Sequence, residues 1–203
     1  MADSFPVGGF VLVGGESRRM GRAKALLELD GVPLVLRAAE LLRPHVAEVT
    51  LLGPPEQFAH LGVRVLADRR PGRGPLEALC AALASSPCEW NLFLACDLPF
   101  LEGEFLGALV RRALAGRAQA VVPRTADGWQ PLCGAYRREC VPAMEQALAR
   151  GSAGIVEVLP ALQVDAIEGE ELARLGFSER LFRNINTPAD WETAQRELEL
   201  TRK

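Results

Sequence analysis

Histidine is scarce in this chain. His45 and His60 are the only two, and both fall in or beside helical stretches, as surface or packing residues would. The five cysteines, Cys80, Cys88, Cys96, Cys133 and Cys140, have no Cys-x-x-Cys spacing. A structural zinc site therefore lacks a ligand set. An odd, scattered set of thiols also excludes a disulfide framework and suits a reducing cytoplasm. No run approaches the roughly 20 apolar residues that span a bilayer. The start, Met1 to Pro6, has neither the basic segment nor the apolar core of a secretory signal. The expectation is a cytoplasmic protein with no membrane partner. A net charge of -3 offers no general attraction to nucleic acid, so none is expected as a partner. Two phosphate-binding signatures are missing as well. No Gly-Lys-Ser/Thr closes a Walker A loop, and no Gly-x-Gly-x-x-Gly marks a dinucleotide fold. Ser17 has no matching base, and two unplaced histidines give a Ser-His or Cys-His mechanism no support.

What is present is a core-building chain of 203 residues, 49% hydrophobic and 24% charged, which is enough for one large domain over residues 1–203. Strand-like and helix-like segments alternate. Phe10–Val13, Val46–Leu52, Val63–Leu66, Asn91–Ala95 and Ala118–Val122 read as strands. Helices are expected at Leu34–Leu42, Gln57–His60, from Pro75 to about Ala84, and at Phe105–Ala115. This alternation predicts an α/β fold of βαβ units, a mainly parallel sheet covered by helices. The second half is less regular. Leu132–Tyr136 reads as an antiparallel strand, Cys140–Ala149 as a helix and Leu162–Ile167 as an edge strand. A last helix opens at Thr187-Pro188-Ala189-Asp190, with Thr187 as cap and Asp190 near the positive end of the dipole.

In an open parallel sheet, ligands bind beyond the carboxyl ends of the strands. Four chemistry-bearing segments fall there. Gly14 and Gly15 open a loop that carries Ser17, Arg18, Arg19 and Lys24. Glycine amides cradle a phosphate, and basic side chains neutralise it. A surface turn with a solvated charge run is the bland alternative. Asp68 follows the third strand and starts a second glycine loop with Arg69, Arg70, Arg73 and Gly74. Its arginines either meet an anionic substrate or stay solvated. Leu52 and Gly53 close the second strand and leave only a backbone contact to a ligand, or none. Asp97 ends the fourth strand, where a carboxylate either holds Mg2+ on a phosphate substrate or caps the helix after Pro99. Further on, Asn184 and Asn186 alternate about Ile185 and share one face of an extended segment. Amides there suit the hydrogen-bonding edge of a ligand or a phosphate, or belong to a turn that feeds the last helix.

These segments carry a specific resemblance. Leu12-Val13-Gly14-Gly15-Glu16-Ser17-Arg18-Arg19-Met20-Gly21-Arg22-Ala23-Lys24 resembles the signature Leu-Ala-Gly-Gly-x-Ser-x-Arg-Met-Gly-x-x-Lys of the molybdenum cofactor guanylyltransferases, with Val13 in place of the usual alanine. Gly74-Pro75-Leu76, Cys96-Asp97-Leu98-Pro99 and Asn184-Ile185-Asn186-Thr187-Pro188 match later motifs in order, so the similarity covers nearly the whole chain. It implies a Rossmann-like three-layer sandwich with a mainly parallel sheet and an antiparallel element in the second half. It implies transfer of GMP from GTP to the terminal phosphate of molybdopterin, with release of pyrophosphate. A CTP-dependent relative, or a non-catalytic nucleotide- or cofactor-binding module, is the alternative.

Carried over by resemblance, Leu12, Val13, Gly14, Gly15, Lys24, Asp68, Gly74 and Asp97 contact the nucleotide. Lys24, Asp97 and either Arg18 or Arg19, with Arg19 preferred, serve catalysis. Asp97 holds Mg2+, the implied cofactor. Asn184 and Asn186 face molybdopterin, and Trp129 lies in a loop toward the same side, either stacked on the pterin or packed in the protein. The implied partners are GTP, molybdopterin, and cofactor-delivery proteins or molybdoenzymes that take the product. Glu77-Ala78 follows Gly74-Pro75-Leu76 where the family has Ala-Gly or Gly-Gly, which alters that edge of the nucleoside pocket.

Overall fold

The structure, a computed structural model, describes residues 7–13, 24–67, 70 and 72–201. The first strand, β1, is Val7–Leu12. A small hairpin follows, of β2 Glu28–Leu29 and β3 Val32–Pro33, and leads straight into α1, Leu34–Leu42. The chain continues through β4 Val49–Leu52, α2 Pro55–Phe58, β5 Arg64–Leu66, α3 Pro75–Ser85 and β6 Trp90–Ala95. Next come α4 Gly103–Ala115, β7 Ala120–Thr125, β8 Gly128–Trp129, β9 Cys133–Arg137 and α5 Val141–Ala149. The chain closes with β10 Val164–Glu168, α6 Gly169–Arg174 and α7 Pro188–Thr201.

The main sheet has the order β10-β7-β9-β6-β1-β4-β5, with β8 paired to β7. Neighbours are parallel from β6 to β5 and again between β10 and β7. β9 runs antiparallel to both β6 and β7, as expected of the strand near Leu132–Tyr136. Period-two alternation assigns the core. In β1, Val7 and Val11 face the layer of α1 and α4, while Phe10 and Leu12 face α3 and α5. In β6, Leu92 and Leu94 join the first layer and Phe93 the second, where it stacks on Phe10 at 5.0 Å and meets the edge of Tyr136. Each such side chain, wholly buried, stabilises the fold by about 1.5–3 kcal/mol. Both faces of the central strands are thus filled, and their C-terminal ends are held rigidly.

A third, smaller cluster fixes the site. Leu29, Leu34, Phe100, Ile185 and Ala194 bury one another. They bring the hairpin, the start of α1, the loop after β6, the 184–186 segment and α7 to one edge of the sheet. Arg180 and Arg183 lie over the Phe100 ring at 4.3 and 4.4 Å and both pair with Glu197 of α7.

Several expected elements shift. β1 begins earlier than Phe10, β7 lies two residues later than Ala118, and β10 sits at Val164–Glu168. The hairpin was not expected, although its Asp30-Gly31 turn, with φ of 57° and 74°, is the dipeptide that two-residue hairpins prefer. Neither was α6, whose six residues are too few for a clear helical period.

Candidate active site

Three predicted residues meet at the C-terminal edge of the central strands. Lys24 opens a short 3-10 turn and is half-buried. Its ammonium Nζ donates to Asp97 Oδ2 at 2.7 Å and to Asn186 Oδ1 at 3.1 Å. The residues are separated by 73 and 162 positions in sequence, so only the fold assembles them. Asp97 follows β6 directly. Cys96 N donates to Leu12 O at 3.3 Å, and Ile185 N donates to Asp97 O at 3.1 Å. The main chain around the carboxylate is therefore anchored on β1 from one side and on the 184–186 segment from the other. The next helix, α4, begins at Gly103 with Glu102 at its N-cap, so Asp97 is not a helix cap.

Lys24 and Asp97 are largely shielded, with side-chain exposures of 16% and 22%. A charge-assisted pair at this depth is stronger and better ordered than one at the surface. Cys96, beside Asp97, lies deep enough that burial pushes its thiol up to about 12, and the neighbouring carboxylate adds to the effect. It is a packing residue here.

Asn186 and Asn184 part company. Ile185 between them is buried, and both asparagines are exposed, but Asn186 supplies the bond to Lys24. Thr187 caps α7 as expected, its Oγ1 accepting from Asp190 N at 3.1 Å. Asp190 returns the contact. Its Oδ2 accepts from Asn186 N at 2.9 Å and Thr187 N at 2.7 Å. These two amides and the Thr187 hydroxyl hold the Asp190 carboxyl below its ordinary range. The pattern Thr-x-x-Asp ahead of a helix signals such a reciprocal cap. The sequence reading noted Asp190 only for its place in the helix dipole.

Gly74 stands at the N-cap of α3 with φ 84° and ψ 177°. A Cβ there would sit 2.8 Å from Ala153 O, the same oxygen that accepts from Leu76 N at 3.2 Å. The glycine thus serves a close backbone approach between the loop before α3 and the loop after α5. Arg70 and Arg73 are exposed. Leu12 and Val13 are buried; Leu12 O is taken by Cys96 N, and Val13 N donates to Leu52 O at 3.2 Å. Leu52 is buried too, and Gly53 N donates to Leu66 O at 3.1 Å. The amide after β4 is therefore committed to the sheet. Trp129, half-buried, carries the Arg124 guanidinium over its ring at 5.2 Å. Gly14, Gly15, Ser17, Arg18, Arg19, Asp68 and Arg69 lie outside the described residues.

Among the described residues, no group of three or more His, Cys, Asp or Glu is placed to hold a metal, and no helix is long and apolar enough to cross a membrane. A separate cavity of about 340 Å³ between α1 and the loop after β6 is lined mainly by apolar residues such as Leu41, Leu94, Leu98 and Leu101. It does not include the Lys24, Asp97 and Asn186 cluster.

The chain is similar to known proteins over most of its length. The sequence pattern of the MobA-like NTP transferase domain matches residues 9–166. A probable molybdenum cofactor guanylyltransferase of Pelotomaculum thermopropionicum is 35% identical over 183 residues, covering 90% of this chain and 88% of the relative. A molybdenum cofactor guanylyltransferase of Pseudomonas putida is 33% identical, covering 88% of this chain and 92% of its own. The crystal structure of molybdopterin-guanine dinucleotide biosynthesis protein A from Archaeoglobus fulgidus superposes with a TM-score of 0.82 at 26% identity, covering 95% of this chain and 98% of that one. A parallel sheet interrupted by one antiparallel strand, a lysine–aspartate–asparagine cluster at its edge and likeness over nine-tenths of the chain agree, and the chain belongs to the MobA-like NTP transferase family, alongside the molybdenum cofactor guanylyltransferases.

Proposed function

We propose that this protein transfers GMP from GTP to the terminal phosphate of molybdopterin. An oxygen of that phosphate attacks the α-phosphorus of GTP, the bond from the α-phosphorus to the bridging oxygen of the β-phosphate breaks, and pyrophosphate leaves. The observation that carries the reading is the convergence of Lys24, Asp97 and Asn186 at the sheet edge, next to where the glycine loop joins β1. The names of the full-length relatives support the choice of acceptor and of guanine.

The residues' roles follow from charge. Lys24 keeps two of its three N–H donors on Asp97 and Asn186 and turns the third to the phosphates, neutralising charge that develops on the transferring group. The glycine-loop amides and Arg19 extend that neutralisation, and Asp68 and Gly74 bound the nucleoside. Asn186 orients the lysine and, with Asn184, faces the acceptor. No protein nucleophile is required, so catalysis consists of positioning and electrostatics.

The donor chemistry at Asp97 fits Mg2+. A half-shielded carboxylate at a strand end, with the amide oxygen of Asn186 close by, suits a hard cation that takes one or two carboxylates and completes its shell with phosphates and water. Asp97 would hold the ion, which supplies further charge neutralisation on the phosphates when bound.

Gly53 N is bonded within the sheet, so this amide does not serve the base. Pyrophosphate release in the presence of GTP, Mg2+ and molybdopterin tests the reaction. Release that needs all three supports transfer. Nucleotide binding without release would leave a binding module instead.

A further inference from the structure

We propose that Asp190 is a positioning residue for the transfer reaction, acting through Asn186 on the Lys24 ammonium; this rests on the function proposed above. Asn186 is exposed, so its side chain meets the Lys24 ammonium at bonding distance only if its main chain is held at the right place. Two contacts fix it. Ile185, buried in the third cluster, ties the preceding residue to Asp97 O. Asp190 Oδ2 takes the amides of both Asn186 and Thr187. An ordinary capping box returns the carboxylate to the amide of the cap residue alone. Here it reaches one residue further, to the amide of the asparagine whose side chain meets Lys24. The bonds form a chain from Asp190 through Asn186 and Lys24 to Asp97. The anchor lies on α7 and therefore belongs to the rigid body that Ala194 and Ile185 pin against Phe100.

A purely structural cap is the competing explanation, and Thr187 separates the two. Thr187→Ala removes the Thr187 hydroxyl from both Asp190 N and the Asp190 carboxylate and weakens the helix start, yet leaves that carboxylate on Asn186 N. Asp190→Ala keeps the bond from the main-chain amide of residue 190 to Thr187 Oγ1 and removes the carboxylate from Asn186 N and Thr187 N. The two variants should lose comparable thermal stability, while only Asp190→Ala should lower kcat/KM for GTP, by about tenfold, the order expected of a small misplacement near the chemistry. Asp190→Asn, whose amide oxygen still accepts, should recover much of that loss. Combined with Asn186→Ala, Asp190→Ala should cost nothing further, because both act through one side chain.

The side-chain amide resonance of Asn186 in a 15N–1H spectrum gives a readout independent of turnover. It should move toward that of a solvent-exposed asparagine in Asp190→Ala and stay in place in Thr187→Ala. Equal turnover losses in the two single variants, additive losses in the double variant, or an unmoved resonance in Asp190→Ala would overturn the proposal. An inactive wild type would overturn the proposed function and, with it, the catalytic consequence; the resonance would still decide whether Asp190 holds Asn186.

Discussion

Replacing Lys24 by methionine tests the centre of the site. Methionine keeps an unbranched stem of similar volume, so packing changes little, and only the ammonium is lost. In the folded protein that ammonium makes charge-assisted bonds of 2.7 and 3.1 Å, at side-chain exposures of 16% for itself and 22% for Asp97. Solvent still reaches both groups, so the stability cost is about 1 kcal/mol, a fall in Tm of about 2–4 °C for a chain of this size. The catalytic cost is larger. The lysine acts where charge develops, in a shielded site, and losing one such preorganised element typically costs about 2.7–4 kcal/mol, or a factor of about 10²–10³ in rate. Melting curves and single-turnover rates with GTP, Mg2+ and molybdopterin give the two numbers. A folded variant with turnover within tenfold of wild type would refute the role of Lys24. A collapse of Tm with proportionate loss of activity would make the lysine structural.

Other perturbations separate the remaining parts. Asp97→Asn keeps size and hydrogen bonding but removes the charge, and transfer at saturating Mg2+ should fall by about two orders of magnitude; near-normal turnover would remove Asp97 from the site. Gly74→Ala forces a residue with a Cβ into φ 84°, 2.8 Å from Ala153 O, and strain of about 2 kcal/mol should lower Tm by roughly 4–8 °C; an unchanged Tm would show that the two loops part at no cost. Burial pushes the Cys96 thiol up to about 12, so much less of it is thiolate at pH 8 than of a free thiol. Peptide mapping after iodoacetamide should find Cys96 alkylated at least about tenfold more slowly in the folded than in the unfolded protein, and equal rates would contradict the raised pKa.

The parts of this structure that were legible in sequence are those that local pattern controls. Alternating apolar strands and helices reveal the βαβ half, because a strand buried on both faces leaves a continuous apolar run, as Leu92–Ala95 does in β6. Asp97 stands out because a charge ends that run. Thr187-Pro188 marks a helix start by local chemistry alone. What stayed hidden depends on tertiary contact. Nothing near Gly74 names Ala153 as its neighbour, since the approach joins loops from separate βα units. Asn184 and Asn186 look equivalent by alternation, and only the position of Lys24 selects Asn186. The hairpin at Asp30-Gly31 had a readable turn, but strands of two residues carry no period. Nothing in the sequence shows that β5 takes the Gly53 amide, which removes that one donor from any contact with a base.

Identification of the product made from competing nucleotides bears most directly on what the Lys24, Asp97 and Asn186 cluster does. The purified protein, molybdopterin and Mg2+ are mixed with equimolar GTP and CTP, and the dinucleotides are resolved by mass spectrometry while pyrophosphate is counted. A pocket built for a purine leaves its polar groups unpaired around cytosine, so the guanine dinucleotide should dominate by roughly a hundredfold, with one pyrophosphate per product. A cytosine product would move the chain to a cytidylyl specificity while sparing the site; no dinucleotide from a folded, nucleotide-binding protein would contradict transfer altogether.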